Sequence, residues 1–389
     1  MNRVTVHPNL LTWARKRAGL SVDKALEFFP KFTEWLSGQS APTMRQLEEF
    51  ASKTHTPLGY LFLTEPPEDK LPIPDFRTLT NNTPRQPSPN LLETVQTLQL
   101  RQAWIRNYLM EEGEKPLPFV GSITIRDNPA DAAAKMRDYM KLSENWAANE
   151  KNSEDAFRLL RRKIEDSGVF LSINGIVGNN TTRALSTDEF RGFTLSDNYA
   201  PFIFINNNDA KAAQMFTLAH ELTHVWLGEG GVSNPGPESA VARATHGTER
   251  FCNETAAEFL VPQTAFLAAW ERAKNASDPI GDAAHVFKVS GIVAARRALE
   301  LRLIGRDQFS SYYNLCMNNW KAMQSKRGIR GGGGNFWATN NGRLGERFGS
   351  TVVRAVKSGR LRFSEACELT GLHGSTFDRY VEKITPLKH

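Results

Sequence analysis

The chain has 389 residues, 40% of them hydrophobic, and a formal net charge of +6, enough for two to four domains with real cores and only a modest excess of basic surface. No run approaches the roughly 18 apolar residues of a membrane span, and the polar start from Met1 to His7 lacks an apolar signal region, so a cytoplasmic protein without membrane contact is expected. Cys252, Cys316 and Cys367, widely spaced and odd in number, fit reduced thiols and exclude a disulfide framework or a CxxC metal knuckle.

Residues 1–66 read as a small helical domain. Leu10 to Ser21 combines a helix, a glycine turn and a serine cap, as at the start of a helix-turn-helix; Pro42-Thr43 opens a further helix with Leu47, Phe50 and Ala51 on one face, and Leu58 to Phe62 closes the core. The third helix is aromatic and broken by Pro30, whereas a DNA-reading helix aims Arg, Gln, Asn, Ser or Lys at base edges. The reading therefore favours dimerisation or partner docking through this module, with DNA contact as the alternative. Residues 67–165 follow as a linker and helical lead-in: a Pro/Asn-rich stretch from Thr78 to Pro89, an amphipathic helix from Leu91 to Met110, and two helices within 130–166.

Residues 166–325 are expected to form an α+β domain. Strands are predicted at Val169–Ile173 and Phe202–Ile205, the second taken as an edge strand on which Ile203 and Ile205 hold an extended peptide by strand addition. Asn207, Asn208 and Asp209 offer N-caps for a helix from Lys211 to Leu227, which Gly228 and Gly230-Gly231 end.

That helix carries His220-Glu221-Leu222-Thr223-His224. Residues four apart project from one helical face, so His220 and His224 can bind one Zn²⁺ while Glu221 reaches its water as general base. The longer pattern with a third histidine is excluded, because Leu227 and Gly230 stand where it needs Gly and His. A further ligand is sought on the next acidic helix, which offers Glu249, Glu254 and Glu258. At roughly 100° per residue Asn253 shares the face of Glu249, whereas Glu254 and Glu258 point about 140° and 180° away. Glu249 is thus the predicted third ligand, Asn253 an outer partner fixing a histidine ring, and Glu254 and Glu258 solvated. His246, in the intervening loop, is a candidate for substrate or oxyanion contact, and His285 reads as structural.

Phe216 to His224 followed by Glu249-Arg250, Asn253 and Ala256 to Pro262 resembles the ImmA/IrrE family of zinc metallo-endopeptidases, and Pro72 to Arg77, Phe190 to Phe193, Pro201 to Asn206 and Gly333 to Phe336 resemble its long members with an amino-terminal XRE-type segment. The chain departs from the family pattern at Phe251-Cys252 and Thr255, none a proposed ligand. The resemblance implies a mostly helical α+β fold with a gluzincin-like core, acting on a helix-turn-helix repressor, or alternatively an antitoxin or transcriptional regulator that binds a PIN-type nuclease or operator DNA.

Val289 to Gly305 reads as a turn and a helix packed on the peptidase core. Residues 326–389 read as a small helical C-terminal domain following Gly331 to Gly334, with Phe336-Trp337 beside the glycines. Basic clusters occur at Arg158, Arg161, Arg162 and Lys163, at Arg296-Arg297 with Arg302, and at Lys326 to Arg330, the last suited to ordering on an anionic ligand. No Walker loop, dinucleotide fingerprint or Ser/Cys nucleophile arrangement suggests other chemistry.

Overall fold

A computed structural model describes residues 3–76, 86–233, 247–327 and 341–384 of the chain. His246, Arg77, most of the Thr78–Pro89 linker, the 331–334 glycines and Phe336-Trp337 lie outside the described residues. The chain divides into two compact units, Met1–Pro72 with Pro84–Gln96, and Ile73–Thr83 with Thr97–His389.

In the first unit α1 (Pro8–Arg17) starts on a proline and ends on three basic residues that suit its C-terminal dipole. Helix α2 (Val22–Phe28) is capped by the Ser21 hydroxyl, which accepts from the Lys24 amide, and α3 (Phe32–Ser37) ends at Gly38 in the left-handed region. A capping box between Thr43 and Gln46 opens α4 (Met44–Lys53), and a 3-10 turn spans Leu58–Phe62. Phe32 and Trp35 of α3 are buried, with the Phe32 and Phe50 rings stacked 5.6 Å apart, so the aromatic residues of α3 build the core.

The long α5 (Pro89–Glu111) leads into the second unit. Asn128 caps α6 (Pro129–Tyr139), and Asn152 accepts from the amides of Glu154 and Asp155 to cap α7 (Ser153–Asp166). The strands follow as β1 (Phe170–Asn174), the hairpin β2 (Ile176–Val177) and β3 (Asn180–Ala184), then β4 (Gly192–Leu195) and β5 (Phe202–Asn206). Next come α8 (Lys211–Leu227), β6 (Gly231–Ser233) and α9 (Gly247–Leu260). Helices α10 (Gln263–Ala273), α11 (Pro279–Phe287), α12 (Gly291–Glu300) and α13 (Arg306–Arg327) complete this run, and α14 (Glu346–Lys357), α15 (Phe363–Thr370) and α16 (Ser375–Lys383) close the described chain. The fold is mostly helical α+β with a small mixed sheet. None of its described helices is long and apolar enough to cross a membrane.

The four-stranded sheet runs β1-β5-β4-β6, with β1 and β5 parallel and β4 antiparallel to both its neighbours. This corrects the edge-strand expectation: Ile203 pairs with Leu171 on one side and Thr194 on the other, Ile205 with Ile173 and Gly192, and both side chains are fully buried. A strand with two partners has no free N–H or C=O row to offer a peptide. The edge next to α8 is β6, and a segment of this chain lies on it: the Phe76 amide donates to the Val232 carbonyl and the Val232 amide to the Pro74 carbonyl, each at 2.9 Å. Gly231 permits the approach, since a Cβ there would stand 2.3 Å from Phe76 Cε2.

Helix α8 packs on β4, β5 and α9, and α9 also packs on α6. Leu218, Ala219, Leu222, Val225 and Trp226 are buried along α8, which stops at Gly228 with φ +72. Its N-cap is Ala210, not one of the three preceding polar residues; the Gln214 amide instead donates to the Asp209 and Asn207 carbonyls at 2.7 and 3.2 Å. All three cysteines are free.

The last helices fall within the second unit. Ser172 Oγ donates to the Arg343 carbonyl at 2.6 Å, Arg101 Nε to the Leu369 carbonyl at 2.8 Å, and Asn179 Nδ2 to the Gly371 carbonyl at 2.8 Å. Gly345, at φ +80, passes so close to β1 that a Cβ would lie 2.0 Å from the Leu171 carbonyl oxygen.

Candidate metal centre

Helix α8 presents His220 and His224 one turn apart, and α9 brings Glu249 to meet them. The two Nε2 atoms are 3.2 Å apart, Glu249 Oε1 is 3.1 Å from His224 Nε2, and Glu249 Oε2 is 3.4 Å from His220 Nε2. Two donors about 2.05 Å from a tetrahedral ion stand about 3.3 Å apart, so these separations fit one shared ion. The buried Glu249 Oε1 has no hydrogen-bond partner, as expected of an oxygen placed for a metal. All three groups are buried, and among the described residues no fourth Asp, Glu, His or Cys joins them. Two imidazoles and one carboxylate leave a position open, as a catalytic ion requires. Burial raises the Glu249 carboxyl, but His220 and then His224 outweigh it and hold the group well below the usual carboxylate range.

Glu221 is fully buried beside this cluster. Thr194 Oγ1 donates to its Oε2 at 2.8 Å and Ser233 Oγ to its Oε1, so the adjacent strands β4 and β6 clamp both carboxylate oxygens. Burial pushes the Glu221 carboxyl up to about 7, against the pull of His224 and the two hydroxyls. Gly192 makes room for it: a Cβ there would stand 2.8 Å from Thr217 Cγ2 and 3.0 Å from Glu221 Oε1.

Residues 179–299 match the IrrE N-terminal-like domain. This is a peptidase-family model, and the IrrE-like segment runs from β3 almost to the end of α12, taking in Thr194, His220, Glu221, His224, Ser233 and Glu249. Residues 344–383 match a domain of unknown function. No curated protein matches the chain.

The expected partnership of Asn253 with a histidine ring is not seen. Among the described residues Nδ1 of His220 and Nδ1 of His224 are buried without a hydrogen-bond partner, and Asn253 is only half-buried on α9. What orients His224 is an aromatic face: the Phe76 ring stacks on it with centroids 5.5 Å apart and planes 9° apart. Glu254 pairs with Arg250 near the surface, at 2.8 Å, whereas Glu258 is not solvated; Arg297 Nη2 of α12 binds its carboxylate, and Arg137 Nη1 of α6 donates to its carbonyl at 2.7 Å. His285 is exposed on α11.

Sequence reasoning missed Thr194, Ser233, Gly192 and Phe76 as parts of the site. Gly192 and Phe76 lay within motifs already noted, Phe190 to Phe193 and Pro72 to Arg77, but those motifs carried no role until the fold brought them to Glu221 and His224. Thr194 lies within β4 and Ser233 ends β6, and nothing in their spacing marks them.

Proposed function

We propose that the chain is a zinc-dependent regulatory endopeptidase with a gluzincin-like core, acting on a protein partner such as a transcriptional repressor. The observation that carries this reading is a buried carboxylate, Glu221, clamped by two hydroxyls beside a His220–His224–Glu249 cluster with metal-compatible spacing. The nitrogen and oxygen donor set suits zinc, which supplies Lewis acidity to water and to a peptide carbonyl when bound. Glu221 takes the proton of the attacking water on a carboxylate oxygen and returns it to the leaving amine, a task suited to a group that titrates near 7. Thr194 and Ser233 fix its direction, and Phe76 fixes the plane of His224.

In this reading residues 1–66 are an XRE-like module for docking or self-association, 67–165 a linker and helical lead-in, 166–325 the peptidase and 326–389 a C-terminal domain, in a cytoplasmic protein. The second reading, an antitoxin or regulator that binds a PIN-type toxin or operator DNA without proteolysis, draws support from β6: Pro74–Phe76 already holds the sheet edge that an extended substrate would use.

Wild type and Glu221→Gln purified from the native host, with metal content and co-purifying proteins determined by mass spectrometry, separate the two. One zinc in each, with a regulator cleaved by wild type and held intact only by the variant, supports proteolysis. An intact toxin held equally by both supports binding.

A further inference from the structure

A pocket of about 360 Å³ opens at the far end of α8 from the metal cluster. Lys211 and His220 are nine residues apart on that helix, so the two sites are separated by about 13 Å along its axis. The pocket lies between α7, the end of β1, the β5–α8 turn and residues 342–343. Four cations line it, Arg158, Arg161, Lys211 and Arg343, against one carboxylate, Glu154.

Three of the four have no carboxylate within ion-pair distance among the described residues. Lys211 Nζ meets only amide oxygens, Asn207 Oδ1 at 2.9 Å and Gln214 Oε1 at 3.5 Å, and Arg343 Nη1 meets Asn179 Oδ1 at 3.4 Å. Nε of Arg161 and Nε of Arg343 are buried with no hydrogen-bond partner. Arg158 alone is paired, with Asp155 at 3.2 Å, and its side chain is exposed. Burial lowers Arg161, outweighing the more distant carboxylates of Glu165 and Glu346. Gathering four guanidinium and ammonium groups around a single carboxylate in a concave site is unfavourable unless a further anion completes it.

The backbone contributes in the same direction. Helix α8 is 17 residues long and its N-cap, Ala210, supplies no side-chain acceptor, so its positive end faces this neighbourhood uncapped. Phe157 adds one aromatic wall. The volume falls within the range of small-molecule sites and is far too small for a nucleic-acid duplex.

We propose that this pocket binds a small phosphate-bearing ligand. Guanidinium forks grip phosphate oxygens bidentately, Lys211 adds a point charge, and Phe157 flanks the group that carries the phosphate. The site stands apart from the metal cluster and does not depend on whether that cluster hydrolyses peptides.

Isothermal titration of the full-length protein with inorganic pyrophosphate and with AMP tests it. Saturable one-to-one binding of either probe, weakened at least tenfold by Arg161→Gln and by Lys211→Gln but unchanged by Arg162→Gln on the exposed side of α7, is the expected result. Circular dichroism and metal content of each variant establish that it is folded; if Arg161→Gln is not, the Lys211→Gln change at the rim decides. No binding at millimolar probe, binding indifferent to both substitutions, or preferential binding of citrate or of a short DNA duplex overturns the proposal.

Discussion

The Phe76 ring lies parallel to the His224 imidazole at 5.5 Å, on a segment hydrogen-bonded to β6 and remote in sequence from the helix it covers. With Nδ1 of His224 lacking a hydrogen bond, this stacking is what holds the ring plane. Aromatic pairs of this kind contribute about 0.5–1.5 kcal/mol beyond burial. Phe76→Ala should therefore weaken zinc binding by roughly 2- to 10-fold, read by competition with a chromogenic chelator. An unchanged affinity would mean that α8 alone orients the histidine.

Glu249 has a different standing, since it belongs to the cluster itself. Glu249→Gln should lower metal affinity by roughly 100-fold or more, about 3 kcal/mol. Because an ion that binds only the folded state stabilises it by mass action, chelation should lower the melting temperature of wild type and leave the variant where it is. Equal chelator sensitivity in the two proteins would show that the carboxylate is not a ligand.

Gly192 should tolerate nothing larger. A methyl group would be wedged between Thr217 and the carboxylate of Glu221, so Gly192→Ala should cost about 1–3 kcal/mol through overpacking and reduce any Glu221-dependent activity with it. Denaturant melts with metal bound report the first effect. A wild-type midpoint would show that the Glu221 side chain can move aside.

Glu165 sets a pH dependence far from the metal cluster. Burial pushes its carboxyl from 4.5 up to about 7 in spite of the Arg347 amide, which donates to Oε1 at 3.0 Å. The folded protein binds this proton more tightly than the unfolded chain, so the stability it gives is full below about pH 4.5 and is lost as pH rises through 7. The loss amounts to about 3 kcal/mol. Urea melts across that window should show wild type falling relative to Glu165→Gln; parallel curves would mean the carboxyl is solvated or paired when ionised.

How far the site could be read from residues alone varies with what each residue depends on. The histidine pair and Glu221 depend only on helical spacing, and Glu249 follows from the angular phase of α9 relative to the same cleft. Glu258 does not, because phase says which way a side chain points but not what packs there; Arg297 and Arg137 arrive from α12 and α6, distant in sequence. The placement of β5 was also recoverable in part. Phe202 to Ile205 is an unbroken apolar run, the mark of a strand buried on both faces, which argues for a central place rather than an edge. Its neighbours β1 and β4, by contrast, are set by long-range register that local pattern does not encode.

The IrrE-like match begins at 179, and β1 ends at Asn174, so the strand that pairs with β5 along its whole length falls outside it. A fragment cut to the matched limits would carry Phe202 to Asn206 with one row of backbone groups bare and the Phe170–Asn174 face of its core missing, a template for intermolecular strand pairing. Expression of this peptidase-type segment alone is accordingly an aggregation problem, and the smallest workable piece must begin before α7 and retain the C-terminal helices that seal β1 from its other side.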